Sequence, residues 1–349
     1  MSETTRTAET GGTPNLPPER AGAVRLSSHE AAEARPLWQV ILIRPEMMTL
    51  LLLIIAFAVA SELSPFFADV TFILESATFY TEFAIIALVL TLIIISGEID
   101  LSPAAMMAFS ACVFAALFQA GIPIGLAMIA SLITGALMGA FNAMLVLRFQ
   151  LPSIIVTIGT LTLYRGLAQV LAGDRSISGF PGWFIGIDWK YWLGIPIPVI
   201  IFAGVALVLG IFLGFTVTGR QIYQIGTSPE AAKHAGIRVR RIKLGLFVLL
   251  GVMSSVAGML TASRLASVRY DMATGGELQM VLMVMLGGTY IFGGRGSIAG
   301  TFLAAWLLIV IATGMNVANI PITSQLIVTG FLLIVAIIAT NAIYARTQR

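Results

Sequence analysis

Ala84-Ile85-Ile86-Ala87-Leu88-Val89-Leu90-Thr91-Leu92-Ile93-Ile94-Ile95 runs without a charged residue and without alternation of apolar and polar positions. A surface helix would keep a polar face, and a strand of a membrane barrel would alternate with period two. Neither pattern is present. With its flanks the run covers 76–96, and a bilayer core about 30 Å thick needs about 20 apolar residues in one helix. Lipid offers no partner to a backbone N–H or C=O, so a run of this kind is helical. Thr49–Ala60 reads the same way, and similar runs recur along the chain. Of the 349 residues 58% are apolar and 11% charged, against roughly 25% charged in soluble domains. Too little charge is present to cover a water-facing surface. The expected fold is all-α: a polytopic membrane helix bundle of about ten transmembrane helices.

The spans are placed near 47–61, 76–96, 102–120, 122–147, 151–172, 195–216, 244–262, 277–292, 297–316 and 322–344. They make a transmembrane domain over 46–344, between a mostly disordered amino-terminal tail, 1–45, and a short carboxy terminus, 345–349. The tail is rich in Glu, Thr, Pro, Ala and Arg and lacks the apolar core of a signal peptide. Most of the 20 Lys and Arg fall on one side of this arrangement: in the tail, at Arg148, in the loop 217–243, at Arg295, and at Arg346 and Arg349. By the positive-inside rule that side is cytoplasmic and holds both termini. The outer loop 173–194 carries Trp183, Trp189, Tyr191 and Trp192, suited to an interfacial cap or to solute contact.

The sequence carries little chemistry of its own. One cysteine, Cys112, excludes an internal disulfide, and His29 and His234 are too few and too separated for a Cys/His metal site. No Gly-x-x-x-x-Gly-Lys-Ser/Thr phosphate loop occurs; Gly293–Thr301 has the glycines without the lysine. No nucleophile–base pair falls within the spans. The expectation is a non-enzyme without metal or cofactor in this chain, and without a nucleic-acid partner.

The loop 217–243 contains Gly226-Thr227-Ser228-Pro229-Glu230-Ala231-Ala232-Lys233-His234-Ala235-Gly236-Ile237. Ser228 suits an N-cap, Pro229 the first helical position and Glu230 the positive helix start. The alanines favour helix, and Gly236 closes it. A helix of about seven residues is marginal alone and persists by packing. It is either a solvated connector, whose basic end Arg238–Lys243 meets anionic headgroups, or a docking element for a partner.

This loop resembles the coupling segment of ABC-importer permeases, an alanine-rich turn followed by glycine that sits in a groove of the ATPase subunit. Further stretches resemble the sugar-type branch of the binding-protein-dependent permeases, for ribose, galactose, rhamnose and autoinducer-2. They are Ser96-Gly97-Glu98-Ile99-Asp100-Leu101-Ser102, Thr157-Ile158-Gly159-Thr160 with Arg165-Gly166, Gly219-Arg220, and Gly287-Gly288-Thr289 through Gly293–Thr301. The resemblance covers about residues 45–340 in order. Glu98 and Pro103–Ala104 depart from it, since the family more often has glycine there. It implies coupling to the ATPase through Gly226, Ser228, Pro229, Glu230, Ala231, Ala232 and Gly236. It also implies ATP on partner ATPase subunits, a periplasmic solute-binding protein, a second permease subunit forming a homo- or heterodimer, and a place in the bacterial inner membrane.

Ionisable groups in a span are costly and are functional candidates. Glu98, Asp100 and Ser102, at the inner end of the second span, either cap the third helix or contact solute. Arg165 is expected to pair with Asp174 or Glu82, or to line the outer vestibule. Arg264, Arg269 and Asp271 are candidates for docking the binding protein. Asn142 follows the small-xxx-small pattern Gly135–Gly139, which recurs at Gly296–Gly300 and points to two weakly related halves. The expected function is the membrane-spanning permease subunit of an ABC importer for a sugar or similar small polar solute. The alternatives are an ion-coupled secondary transporter, with Glu82 as its carboxylate, and an amino-acid ABC permease. Arg269-Tyr270-Asp271 and the run Gly287–Gly294 lean toward rhamnose or autoinducer-2-like solutes.

Overall fold

The computed structural model describes residues 45–63, 67 and 69–347. The expected tail, with Arg6, Arg20, His29 and Arg44, and the final Arg349 lie outside the described residues. Thirteen helices are present among them. They are α1 Pro45–Leu63, α2 Val70–Ile95, α3 Pro103–Gln119, α4 Ile124–Phe149, α5 Ser153–Ala172, α6 Gly182–Ile185 and α7 Ile197–Phe215. The chain continues with α8 Val217–Thr227, α9 Pro229–His234, α10 Val239–Leu265, α11 Gly276–Leu286, α12 Ile298–Val317 and α13 Ile322–Thr347. Four two-residue strands form two antiparallel pairs: Ile177–Ser178 with Ser267–Val268, and Tyr191–Trp192 with Ile195–Pro196.

Local chemistry explains the ends. Asp69 caps α2 by accepting the Thr71 amide at 2.8 Å. At its far end the chain turns through Gly97 in the left-handed region. Proline stands just before or at the first residue of α3, α4, α5 and α7, where a missing N–H costs nothing.

Every expected span overlaps a helix. Six helices, α2, α4, α5, α7, α10 and α12, are long and apolar enough to cross a membrane, while α3, α11 and Ile322–Ile338 are shorter apolar helices. Helix α2 is the axis of the bundle: 83% of its apolar window is buried, against 28% for α4 and α5. It packs on α7, α10, α11 and α12. The outward apolar residues of α4, α5 and α7, such as Leu137, Ile155 and Val208, suit lipid rather than water.

Two expectations change. The span placed at 277–292 is a short helix ending at Leu286, followed by an irregular segment in which Gly288, Gly293, Gly294 and Gly296 have positive φ. At 11 residues α11 rises about 16 Å, about half a bilayer core. Its Met280, Met283 and Met285 are buried in protein, which is what allows non-helical backbone to follow it at depth. The loop 217–243 holds not one helix but two, α8 and α9.

Both small-residue patterns are packing surfaces. A Cβ on Gly135 or Gly251 would overlap the other's carbonyl, and one on Gly139 would overlap that of Phe247, so α4 and α10 touch backbone to backbone. A Cβ on Gly300 would likewise overlap the Gly287 carbonyl. Glycine to alanine in an exposed helix gains about 1 kcal/mol, and the α4–α10 contact reverses that sign. Gly251→Ala is expected to lower the thermal midpoint of the detergent-solubilised chain. Gly245→Ala, with open space around it on the same helix, is expected to hold or raise it.

Candidate coupling site and buried polar networks

The short helix α9 has the expected ends. The Ser228 hydroxyl accepts the Ala231 amide at 3.3 Å, and Pro229 opens the helix. Gly236, at φ +80°, closes it by donating to Lys233 O at 3.0 Å, and Ile237 donates to Ala232 O at 3.1 Å. Only Ala232 is buried in the bundle, while Glu230, Ala231, Lys233, His234 and Ala235 are exposed. The helix is thus seated by one methyl and keeps a free face of small and charged residues.

Helix α8 anchors α9 to the bundle. Thr216 caps α8 by accepting the Gly219 amide at 3.0 Å. At the other end, a Cβ on Gly226 would overlap Ile95 O and Gly294 N. The Gly294 amide donates to Ile95 O at 2.8 Å, and a Cβ on Gly293 would stand 2.8 Å from the Gly97 Cα. Three pieces of main chain therefore meet without side chains between them: the end of α8, the end of α2 and the segment 287–297. Tyr223 reinforces the joint by donating its hydroxyl to Gly296 O at 2.8 Å. Gly226 was a sequence candidate for coupling, whereas Tyr223 was not singled out.

Glu98 accepts from Lys243 at 2.5 Å, with side-chain exposures of 15% and 7%. It does not cap α3. The pair ties the turn after α2 to the start of α10, and losing one partner of such a pair costs about 3–5 kcal/mol. Asp100 instead braces the turn that leads into α3. Its carboxylate accepts the Ser102 amide at 2.8 Å, the Ser102 hydroxyl at 2.6 Å and Asn142 Nδ2 at 3.2 Å. Asn142 also donates to Ser102 Oγ at 2.9 Å and accepts from the Tyr164 hydroxyl at 2.8 Å. Ser102 makes no side-chain cap bond. Asp100, Ser102 and Asn142 are fully buried, so in this structure they join α3, α4 and α5 rather than line an open path. Tyr164 was missed by sequence reading.

At the opposite end the expected pairing of Arg165 is replaced. Its Nη1 donates to Tyr270 O at 2.8 Å and Met272 O at 2.7 Å, holding the segment after α10 against α5. Glu82 pairs with Arg264 at 2.8 Å, with side-chain exposures of 2% and 16%. Thr261 donates to the same carboxylate at 3.3 Å, and the guanidinium of Arg264 lies 5.3 Å from the Phe79 ring centroid. Arg264 is thereby committed to the bundle and offers little to an external partner. Arg269 and Asp271 form a bidentate pair at 2.9 and 3.0 Å, about half exposed. Arg269 beside Asp271 holds its carboxyl below the usual carboxylate range. No group of His, Cys, Asp and Glu suited to a metal occurs among the described residues.

Asp188, in the 173–196 segment, is buried, and its Oδ1 has no hydrogen-bond partner among the described residues. Burial, and secondarily the charge of Glu82, push its carboxyl up to about 7 from 3.8, against the pull of Arg264. Between those pH values the folded chain holds a proton that the unfolded chain releases. Its contribution to stability therefore falls as pH rises through that window and is level above about 7. The expected result is that thermal midpoints of wild type and Asp188→Asn diverge as pH rises from the ordinary carboxylate range to neutrality, with wild type the loser. A constant offset across that range would contradict the assignment.

The family model described as branched-chain amino acid transport system / permease component matches residues 72–337. The autoinducer 2 import system permease protein LsrD of Escherichia coli (strain K12) is 34% identical over 309 residues, 87% of this chain and 94% of that protein. LsrD of Shigella flexneri matches with the same figures, and that of Escherichia coli O157:H7 at 33%. No solved structure matches. Matched by that model over most of its length and by these relatives along nearly the whole of theirs, the chain belongs to the permease-component family and is the membrane-spanning permease subunit of a sugar-type ABC importer.

Proposed function

We propose that α9 is the element on which an ATPase subunit acts, and that the glycine joint at Gly226 carries its displacement to α2 and the 287–297 segment. The observation that supports this is the seating of α9: one buried methyl at Ala232, a free face, and a side-chain-free joint immediately before it. In this reading ATP is hydrolysed on partner subunits, and closing of two ATPases tilts two permease bundles, this chain and a second copy or a paralogue. The bundle then lies across the inner membrane, with α11 covering only part of the core and with α9 and both termini on the cytoplasmic side. The end bearing 173–196 and the exposed Arg269–Asp271 pair faces the periplasm and receives a solute-binding protein. The two small-residue contacts, α4 on α10 and α11 on α12, are the counterpart packing of two related halves.

The proposed cargo is a small polar, uncharged, sugar-like molecule. The relatives named for autoinducer 2 favour a solute of that kind, as do Arg269-Tyr270-Asp271 and Gly287–Gly294. The family description keeps an amino-acid cargo as the alternative. An ion-coupled carrier is disfavoured, because Glu82 already pairs with Arg264 in the bundle.

Because Ala232 faces inward, the informative substitutions are on the free face. Glu230→Arg with Ala231→Trp is expected to leave the bundle folded and to abolish solute uptake in vesicles holding the full importer. Unchanged uptake and ATPase association would sink the coupling role. Gradient-driven uptake by the chain alone in liposomes would overturn the importer reading as a whole.

A further inference from the structure

Three arginines come together where the apolar surface of the bundle ends. Arg148 is in the last turn of α4, and Arg240 and Arg241 are in the first turn of α10. These helices pack against each other at Gly135, Gly139 and Gly251. At 26 and 27 residues they rise about 39 and 40 Å, more than a bilayer core of about 30 Å. Their ends therefore reach headgroup depth. The three side chains are exposed, and among the described residues no ion pair joins them to a carboxylate. Together with Met144, Leu147 and Leu244 they line a cleft of 300 Å³ between the two helices.

This geometry is two-sided. The wall made by Met144, Leu147 and Leu244 lies on the span side and is apolar, whereas the rim is cationic. Arg240 and Arg241 also stand at the positive end of α10, an unfavourable placement for a cation that a bound anion offsets. A free anion would satisfy the rim and leave the apolar wall unused. An acyl chain covers the wall while its phosphate meets the rim. We infer that this cleft is a binding site for an anionic phospholipid of the adjoining leaflet, held by Arg148, Arg240 and Arg241.

The inference does not depend on the coupling reading, although Arg240 and Arg241 also border a neighbouring cleft with Pro229, Glu230 and Lys233 of α9. It is tested on the full-length chain, delipidated in neutral detergent and titrated with phosphatidylglycerol, phosphatidylcholine or inorganic phosphate, with native mass spectrometry as the readout. Phosphatidylglycerol is expected to be retained in preference to phosphatidylcholine. Arg148→Gln with Arg241→Gln is expected to weaken it about thirtyfold, the loss of two headgroup-facing cations. Arg148→Lys with Arg241→Lys, which keeps the charge, is expected to hold binding within a few-fold. Arg175→Gln with Lys190→Gln, at the opposite end, is expected to leave it unchanged. The proposal is overturned by equal retention of phosphatidylcholine, by equal weakening in the two glutamine variants, by a lysine variant as weak as the glutamine one, or by displacement of the lipid by millimolar phosphate. Lost ATPase association with lipid retention intact would assign the arginines to a protein interface, and would also overturn it.

Discussion

The amide of Gly294 donates to the carbonyl of Ile95 at a place where no side chain fits. Backbone groups inside a membrane protein have no water to turn to, so a chain that leaves helical geometry there must bring another stretch of main chain within bonding distance. Glycine makes that approach possible. The bond joins the end of the most buried helix to the irregular segment 287–297, and Gly226 at the end of α8 fits into the same corner. The short α11, the left-handed glycines after it and the seating of α8 all follow from satisfying this one region of backbone.

Charge plays the complementary part. Lys243 with Glu98 fastens one end of α10, and Arg264 with Glu82 fastens the other to α2. Among the described residues no cation pairs with Asp100, which instead collects donors from Ser102 and Asn142, with Tyr164 holding the Asn142 amide oxygen. Arg165 is its mirror image, a cation satisfied by two backbone carbonyls. Groups costly to bury are thus spent on fixing one helix against another. This leaves the exposed surface to groups such as α9, the Arg269–Asp271 pair and the arginines at the ends of α4 and α10.

Much of the architecture was legible in the sequence, for reasons visible in particular residues. The run Ala84–Ile95 has no polar face to show, and it forms part of the central helix. Ser228, Pro229 and Gly236 are cap signals that act over three or four residues, and each does what its chemistry dictates. Contacts distant in sequence were not legible. Glu98 finds Lys243, 145 residues away, and Arg165 finds two carbonyls rather than a carboxylate. Helix α8 is hard to see in the sequence because Thr218, Gly219, Arg220 and Gln221 resemble a connector, although Thr216 is a sound cap. The end of helix α11 at Leu286 is not visible in hydropathy, because Gly287 and Gly288 are followed by further apolar residues.

The free face of α9 and the glycine joint behind it use different residues, and neither borrows side chains from the other. In the proposed coupling role, recognition and leverage are therefore separable. The exposed positions around Glu230, Ala231 and Lys233 are open to replacement as a set, while Gly97, Gly226, Gly293 and Gly294 admit no gradual variation. On the coupling role proposed above, a bundle built this way is a transferable chassis: the tip that carries α9 can be re-addressed to a different motor without redesigning the machinery that the motor moves.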